Sequence, residues 1–287
     1  MSSVPVSGAA PRALAPRLTL HVGRLALRSL RGALVPVLAL AGGLLAWYGV
    51  SYLVLAEDRR FLLPPPHQVW QLSVSDPAHL RPMLEALWIT AQVAGIGFVL
   101  ATTIGVAVGA LMAQARWLER VVYPYAVLLQ VIPVLAIVPL IGLWFGFSVT
   151  ARIVVCVMIA LFPIITNTHF GFRSIDRGLR ELFVLGRAST AQRLVRLELP
   201  AAAPSILTGL RIASGQVVIG AIIGDMFFAQ GQAGIGTLIN TYRAQLRSED
   251  LIAAIGLAAL FGLLVFAASV ALSSLLVGRW HSSGDRH

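Results

Sequence analysis

Residues 181–204 read ELFVLGRASTAQRLVRLELPAAAP, a polar interruption between two apolar runs. Its local signals come in order. Asp176, just upstream, can cap a short helix running through Glu181 to Leu185, and Gly186 can end that helix in the left-handed conformation. Ser189 then starts a second helix, Gln192 three residues later completes a capping box, and Pro200 closes it. The spacing predicts a helix, a glycine turn and a helix. Leu179, Leu182, Phe183 and Leu185 mix with arginines on the first helix, as Leu194, Val195 and Leu197 mix with Arg193 and Arg196 on the second. An element so compact and two-sided is more ordered than a connection requires. It reads as a docking device, with a hairpin lying on the lipid surface as the alternative.

What surrounds this element is mostly apolar. Of 287 residues, 57% are hydrophobic and 12% charged, with a mean hydropathy of +0.83, whereas soluble domains carry roughly 25% charged residues. The chain is therefore expected to be an all-α integral membrane protein. A hydrocarbon core needs ~20 apolar residues per helix, and six stretches qualify, near 33–55, 86–112, 121–145, 150–170, 204–228 and 251–277. The run that opens the first is longer than the core of a signal peptide, and roughly thirty residues precede it.

All 22 basic residues are arginine, and arginine accumulates on the cytoplasmic side. Arg12, Arg17, Arg24, Arg28 and Arg31 precede the first span, and Arg116 and Arg120 follow the second. Arg173, Arg177, Arg180, Arg187, Arg193 and Arg196 lie between spans four and five, and Arg279 and Arg286 follow the sixth. With six spans these fall on one side, leaving Arg59, Arg60, Arg81, Arg152, Arg243 and Arg247 on the other. Both termini and the 181–204 stretch are then cytoplasmic, in a multi-pass protein of the plasma membrane. Residues 18–31 have the pattern of an amphipathic helix on the inner surface.

The residue inventory excludes several chemistries. Without lysine, neither a Walker-type nucleotide loop nor a Schiff base can form. Cys156 stands alone, so no internal disulfide or multi-cysteine metal site is available. No metal ligation is expected, since His169, beside Asn167 and Thr168, lacks a second ligand at metal spacing. The net charge of +10 falls between spans rather than on a basic stripe interleaved with aromatics, so no nucleic-acid partner is expected. No catalytic set is apparent either.

Candidate path residues come from the apolar spans. Pro124, Pro133 and Pro139 can each break the third, and broken helix at membrane depth is tolerated where it is buried or lines a wet cavity. Gln130 and Pro133 are therefore pathway candidates, as is Gln216 in span five; an interhelical hydrogen bond is the other reading of each glutamine. Asp225 is costly inside a span, and so serves either the path or gate, or a structural pairing. After it, Gly231, Gly234 and Gly236 favour an irregular gate loop or a flexible external one. Gly105 with Gly109, and Gly215 with Gly220 and Gly224, have small-residue spacing that lets helices approach closely.

The opening stretch also resembles the cytoplasmic motif of ABC-importer permeases: E-A-A, three residues, G, nine residues, I-x-L-P. Glu181 matches the acidic position, and Leu197, Leu199 and Pro200 match the close at the right spacing. Leu182 and Phe183 replace the alanines, and Arg187 stands in the glycine position with Gly186 one place early. FLLPPPHQVW (61–70), IPVLAIVPLIGLWFGF (132–147), FPIITNTHFGFRSID (162–176) and LPAAAPSILTGLRIASG (199–215) are similar, in order and spacing, to the nitrate, sulfonate and taurine branch of that family.

The resemblance implies a type I importer permease of about six transmembrane helices with a coupling hairpin at 174–200. An N-terminal tail over 1–32, a first span and external loop over 33–82, a permease core over 83–278 and a tail over 279–287 complete the layout. It implies that Glu181, Gly186, Arg187, Ser189, Gln192, Leu197 and Pro200 dock an ATPase. The implied partners are a second permease chain, most simply another copy of this one, two ATPase subunits that carry the ATP and Mg, and an extracytoplasmic binding protein. This chain itself would bind no cofactor. Its cargo would be a small anion of the nitrate, sulfonate or taurine kind, or a heterocycle resembling a thiamine precursor. An ion-coupled secondary transporter is the alternative.

Overall fold

The computed structural model describes residues 34, 37–228 and 230–277; the surface helix expected over 18–31 and most of both tails lie outside the described residues. Every regular element among the described residues is helical. The chain divides into two compact units, Met1–Arg60 and Phe61–His287. In the first, α1 (Val37–Val54) is apolar enough to span a membrane and ends in a π turn over Val50–Val54. Tyr48 and Tyr52 stack one turn apart, and Arg60 lies 5.0 Å over the Tyr52 ring while its Nη1 pairs with Glu57.

The second unit begins with a short α2 (Pro66–Val69) and continues through α3 (Pro77–Gln114), α4 (Arg116–Val131), α5 (Val134–Phe145) and α6 (Val149–Arg173). Then come α7 (Arg177–Leu185), α8 (Thr190–Arg193), α9 (Leu199–Phe227), α10 (Ile235–Ala244) and α11 (Ser248–Val277). Five helices are long and apolar enough to cross a membrane, and the bent pair α4 and α5 makes a sixth if taken as one span.

Boundaries differ from the sequence reading for local reasons. Helix α3 starts at Pro77 rather than near residue 86, because the Asp76 carboxylate accepts the Ala78 N–H at 2.8 Å and proline suits the first helical position. Hence the expected boundary between 82 and 83 falls inside a helix. The third span is two helices meeting at 105°. Only Pro133 breaks it: Ile132, the residue before that proline, is forced extended (φ −65°, ψ 125°), whereas Pro124 and Pro139 sit within α4 and α5.

The core of the unit is α6 packed between α3 and α9. Val93, Ala94, Ala101, Cys156, Ala160, Ile164, Ala213, Val217 and Ala221 are buried together there. Small residues set the helix separations. A Cβ on Gly105 would lie 2.7 Å from Ile164 Cγ2, and one on Gly220 or Gly224 would lie 3.0 Å from the Cα of Cys156 or Arg152. Gly215, expected to share this role, faces open space. Gly105→Ala should therefore force α3 from α6 and cost about 1–3 kcal/mol, measured as a lower melting temperature of the purified chain, while Gly215→Ala should be neutral.

Near the N-terminus of α3, His79 Nδ1 lies 2.8 Å from Asp250 Oδ1 at the start of α11. The buried Asp250 carboxylate also holds Arg247, whose guanidinium lies 5.0 Å over the Tyr242 ring.

Candidate functional site

Two places collect the residues singled out in the sequence. The first is a polar node at the end of α9. Asp225 and Arg152 are both fully buried, and Arg152 Nη1 lies 3.1 Å from Asp225 Oδ1. The pair therefore gives Asp225 the structural partner that was one of its two readings, with neither side chain open to solvent in this chain. A guanidinium has five N–H groups, and all five find an acceptor. Nε donates to Phe228 O at 2.9 Å; Nη1 donates to Asp225 and to Gln232 O at 3.0 Å; Nη2 donates to Phe228 O at 2.6 Å and Gln230 O at 3.2 Å. The chain leaving α9 is thus wrapped around one cation.

The other Asp225 oxygen accepts from Thr90 Oγ1 at 2.5 Å, and Thr90 in turn accepts the Ile235 N–H at 2.8 Å. Side chains of α10 then cap the carbonyls left over at the end of α9: Thr237 donates to Asp225 O and Asn240 to Met226 O, each at 2.8 Å. Helices α3, α6, α9 and α10 meet in this network. The glycines after Asp225 serve it. A Cβ at Gly234 would fall into the Asp225 carboxylate, and one at Gly236 into Ile222 O; Gly231 holds φ +92°. Gly234 and Gly236 thus belong to the node, packed on α9 rather than free of it.

The remaining path candidates are elsewhere. Gln130 and Pro133 are exposed at the bend between α4 and α5. Gln216 lies on α9 nine residues before Asp225, about 13 Å along the axis at 1.5 Å per residue, and its buried Oε1 accepts no hydrogen bond. Sequence reasoning missed Arg152 and Thr90, having placed Arg152 on an external flank. The available signal was the demand of Asp225 for a counter-charge: Arg152 stands just inside the apolar run of α6.

The second place is the hairpin between α6 and α9. Asp176 Oδ1 accepts the Leu179 N–H at 3.2 Å, as its capping role requires. Ser189 Oγ accepts the Gln192 N–H at 3.2 Å while Gln192 Oε1 accepts the Ser189 N–H at 2.9 Å, a complete capping box. The turn between them departs from expectation. Gly186 has φ −73°, and Arg187 takes the left-handed conformation at φ 51°. Ala188 N–H donates to Phe183 O and Arg187 N–H to Val184 O, both at 3.0 Å, which is the Schellman pattern with Arg187 in the position that usually belongs to glycine. For a residue with a Cβ that conformation costs roughly 1–2 kcal/mol.

Pro200 does not close the second helix either. A π turn over Leu194–Glu198 joins α8 to α9, so that Thr190–Phe227 runs as one helix of 38 residues. The i to i+5 bond from Leu199 N–H to Leu194 O changes the register just where proline lacks a donor, and the missing bond is absorbed there. At 1.5 Å per residue the rod is about 57 Å long, well beyond a ~30 Å hydrocarbon core. One end carries the capping box and the other carries Asp225.

Among the described residues, nothing covers α7. No residue of α7 is buried, and Leu182 and Leu185 are 63% and 80% exposed. Glu181, Gly186, Arg187, Ser189, Gln192 and Pro200 are also exposed, whereas Leu197 is buried and anchors the rod from within. The hairpin is held at its base: Arg180 donates to Phe172 O, Arg193 lies 3.0 Å from the buried Glu198, and Arg173 pairs with Glu119 at 2.9 Å. It is a firmly based, capped element presenting leucines outward.

Residues 88–281 match the family described as binding-protein-dependent transport system inner membrane component. The formylaminopyrimidine transport permease protein ThiX of Halalkalibacterium halodurans is 36% identical over 217 residues, which cover 76% of this chain and 85% of ThiX. The bicarbonate transport system permease protein CmpB of Synechococcus elongatus is 31% identical over 249 residues, covering 83% and 87%. A chain of the MetNI methionine ABC transporter superposes with a TM-score of 0.58 at 18% identity, covering 70% of this chain and 98% of that one, a likeness of fold. The chain belongs to the binding-protein-dependent transport system inner membrane component family. It is a membrane permease subunit of an ABC importer with the type I fold.

Proposed function

We propose that this chain, paired with a second copy of itself, forms the translocation path of an importer driven by two separate ATPase subunits and supplied by an extracytoplasmic binding protein. The observation that carries this reading is the uncovered hairpin at the foot of the Thr190–Phe227 rod. A nine-residue helix with exposed leucines has too few bonds to be stable by itself, and a groove that buries those leucines would fix it. Movement of that groove when ATP and Mg bind to the ATPase would be carried as a rigid-body shift along the rod. At its far end, the Arg152 and Asp225 node ties α9 to α3, α6 and α10, so the helices would move together.

The arginine asymmetry supports a cytoplasmic hairpin and cytoplasmic termini in the plasma membrane. The path in this reading is lined from the bend at Pro133 past Gln130 and Gln216, with the loop around Gly231 at its outer end. The cargo class follows the relatives: a small anion, or a small pyrimidine of the thiamine-precursor kind. The chain has no lysine for a Walker-type loop, which supports a separate subunit as the site of ATP hydrolysis. Co-expression with the partner ATPase tests the assembly: a complex of two permease chains and two ATPases by mass supports the reading, and a permease that purifies alone from such cells opposes it. Titrating the partner binding protein with sulfonates, bicarbonate and formylaminopyrimidine then separates the cargo classes.

A further inference from the structure

Among the described residues, two hold a left-handed backbone without being glycine, Arg187 and Leu246. Arg187 sits at the tip of the hairpin, one residue from a glycine that could have taken the strained position at no steric penalty. Its side chain is exposed, and it forms no hydrogen bond or ion pair with any described residue. Of the other hairpin arginines, Arg180 holds Phe172 O and Arg193 pairs with Glu198, whereas Arg177 and Arg196 are exposed like Arg187 but do not sit in a strained backbone conformation. The last two turns of α7, which lead into Arg187, carry exposed apolar side chains, Leu182, Val184 and Leu185. The hairpin as a whole, residues 174–200, carries five arginines (177, 180, 187, 193 and 196) against three acids (176, 181 and 198).

A cation just past the C-terminus of α7 is favoured by the helix dipole, but Gly186 and Ala188 flank the same terminus and an arginine at either would feel the same field without strain. A diffuse anionic surface would likewise be served from any neighbouring position. What requires this one position is a contact of fixed geometry. Exposed leucines beside the charge would exclude water once covered, which strengthens an ion pair, and a guanidinium grips a carboxylate with two parallel bonds.

We propose that Arg187 inserts into an acidic site in the ATPase groove and helps to determine which ATPase this permease accepts. The proposal rests on the docking role of the hairpin argued above. It is tested by the affinity of the purified permease for its ATPase, with Arg187→Gly and Arg187→Lys compared with the double variant Leu182→Glu, Leu185→Glu. Arg187→Gly removes the charge and relieves the backbone, so it should weaken ATPase binding by about tenfold or more while the permease alone melts no lower than the native chain. Arg187→Lys should recover part of the affinity, since one ammonium cannot replace a bidentate fork.

Native affinity in Arg187→Gly, with binding abolished in the leucine double variant, would overturn the proposal and leave docking intact. Native affinity in both would remove the docking reading itself. A defect in Arg187→Gly that appears only in nanodiscs containing phosphatidylglycerol, and not in detergent, would assign the arginine to lipid and also overturn it.

Discussion

Arg152→Met is expected to destabilise the folded permease by about 3–5 kcal/mol, because breaking a buried ion pair leaves the other charge without compensation. The variant strands the Asp225 carboxylate in a fully buried site and, in the same step, orphans the carbonyls of Phe228, Gln230 and Gln232. Thr90 retains its bond to Asp225 Oδ2, which does not replace the lost counter-charge. Removing both charges in Arg152→Met, Asp225→Leu should recover part of the loss, since no unpaired ion remains, but not all of it, since the loop carbonyls still lack donors. Thermal unfolding of the purified chain in one detergent gives the comparison. Equal melting of native and Arg152→Met would show that the node holds nothing together, and full recovery in the double variant would show that the loop carbonyls find water or other donors.

The second large effect concerns assembly. Leu182→Glu with Leu185→Glu should reduce copurification of the ATPase more than tenfold and abolish uptake, without lowering the melting temperature of the permease itself. The two leucines are 63% and 80% exposed, so within this chain their replacement removes almost no buried surface. Against a groove each would forfeit ~1.5–3 kcal/mol of burial, and the new carboxylates would meet a surface that is itself acidic in this account. Retained copurification and uptake would contradict docking through α7. Loss of uptake with the ATPase still bound would move the role of these leucines from assembly to transmission of motion.

How legible each element was depends on the reach of its interactions. The caps at Asp176 and at Ser189 with Gln192 were readable, since each bond spans three residues. The turn was misread by one residue. Gly186 and Arg187 are adjacent, and the glycine preference of a Schellman turn pointed to Gly186; α7 does end at Leu185, but Gly186 keeps φ −73° as the C-cap and the left-handed position falls on Arg187 at φ 51°. Proline was overread as a terminator: of Pro124, Pro133, Pro139 and Pro200, only Pro133 interrupts a helix, the others being absorbed inside α4 and α5 or just after a π turn. The node was half legible. Asp225 in a span announces that a partner exists, but Arg152 is 73 residues away, and no local pattern encodes that pairing.

The central claim, that this chain is the path of an ATP-driven importer, is tested most directly by uptake into vesicles reconstituted with the permease, its ATPase and its binding protein. Cargo should accumulate only when all three proteins and ATP with Mg are present, and omission of any one should reduce uptake to the leak of empty vesicles. Uptake by the permease alone, driven by a sodium or proton gradient and indifferent to ATP, would contradict the account.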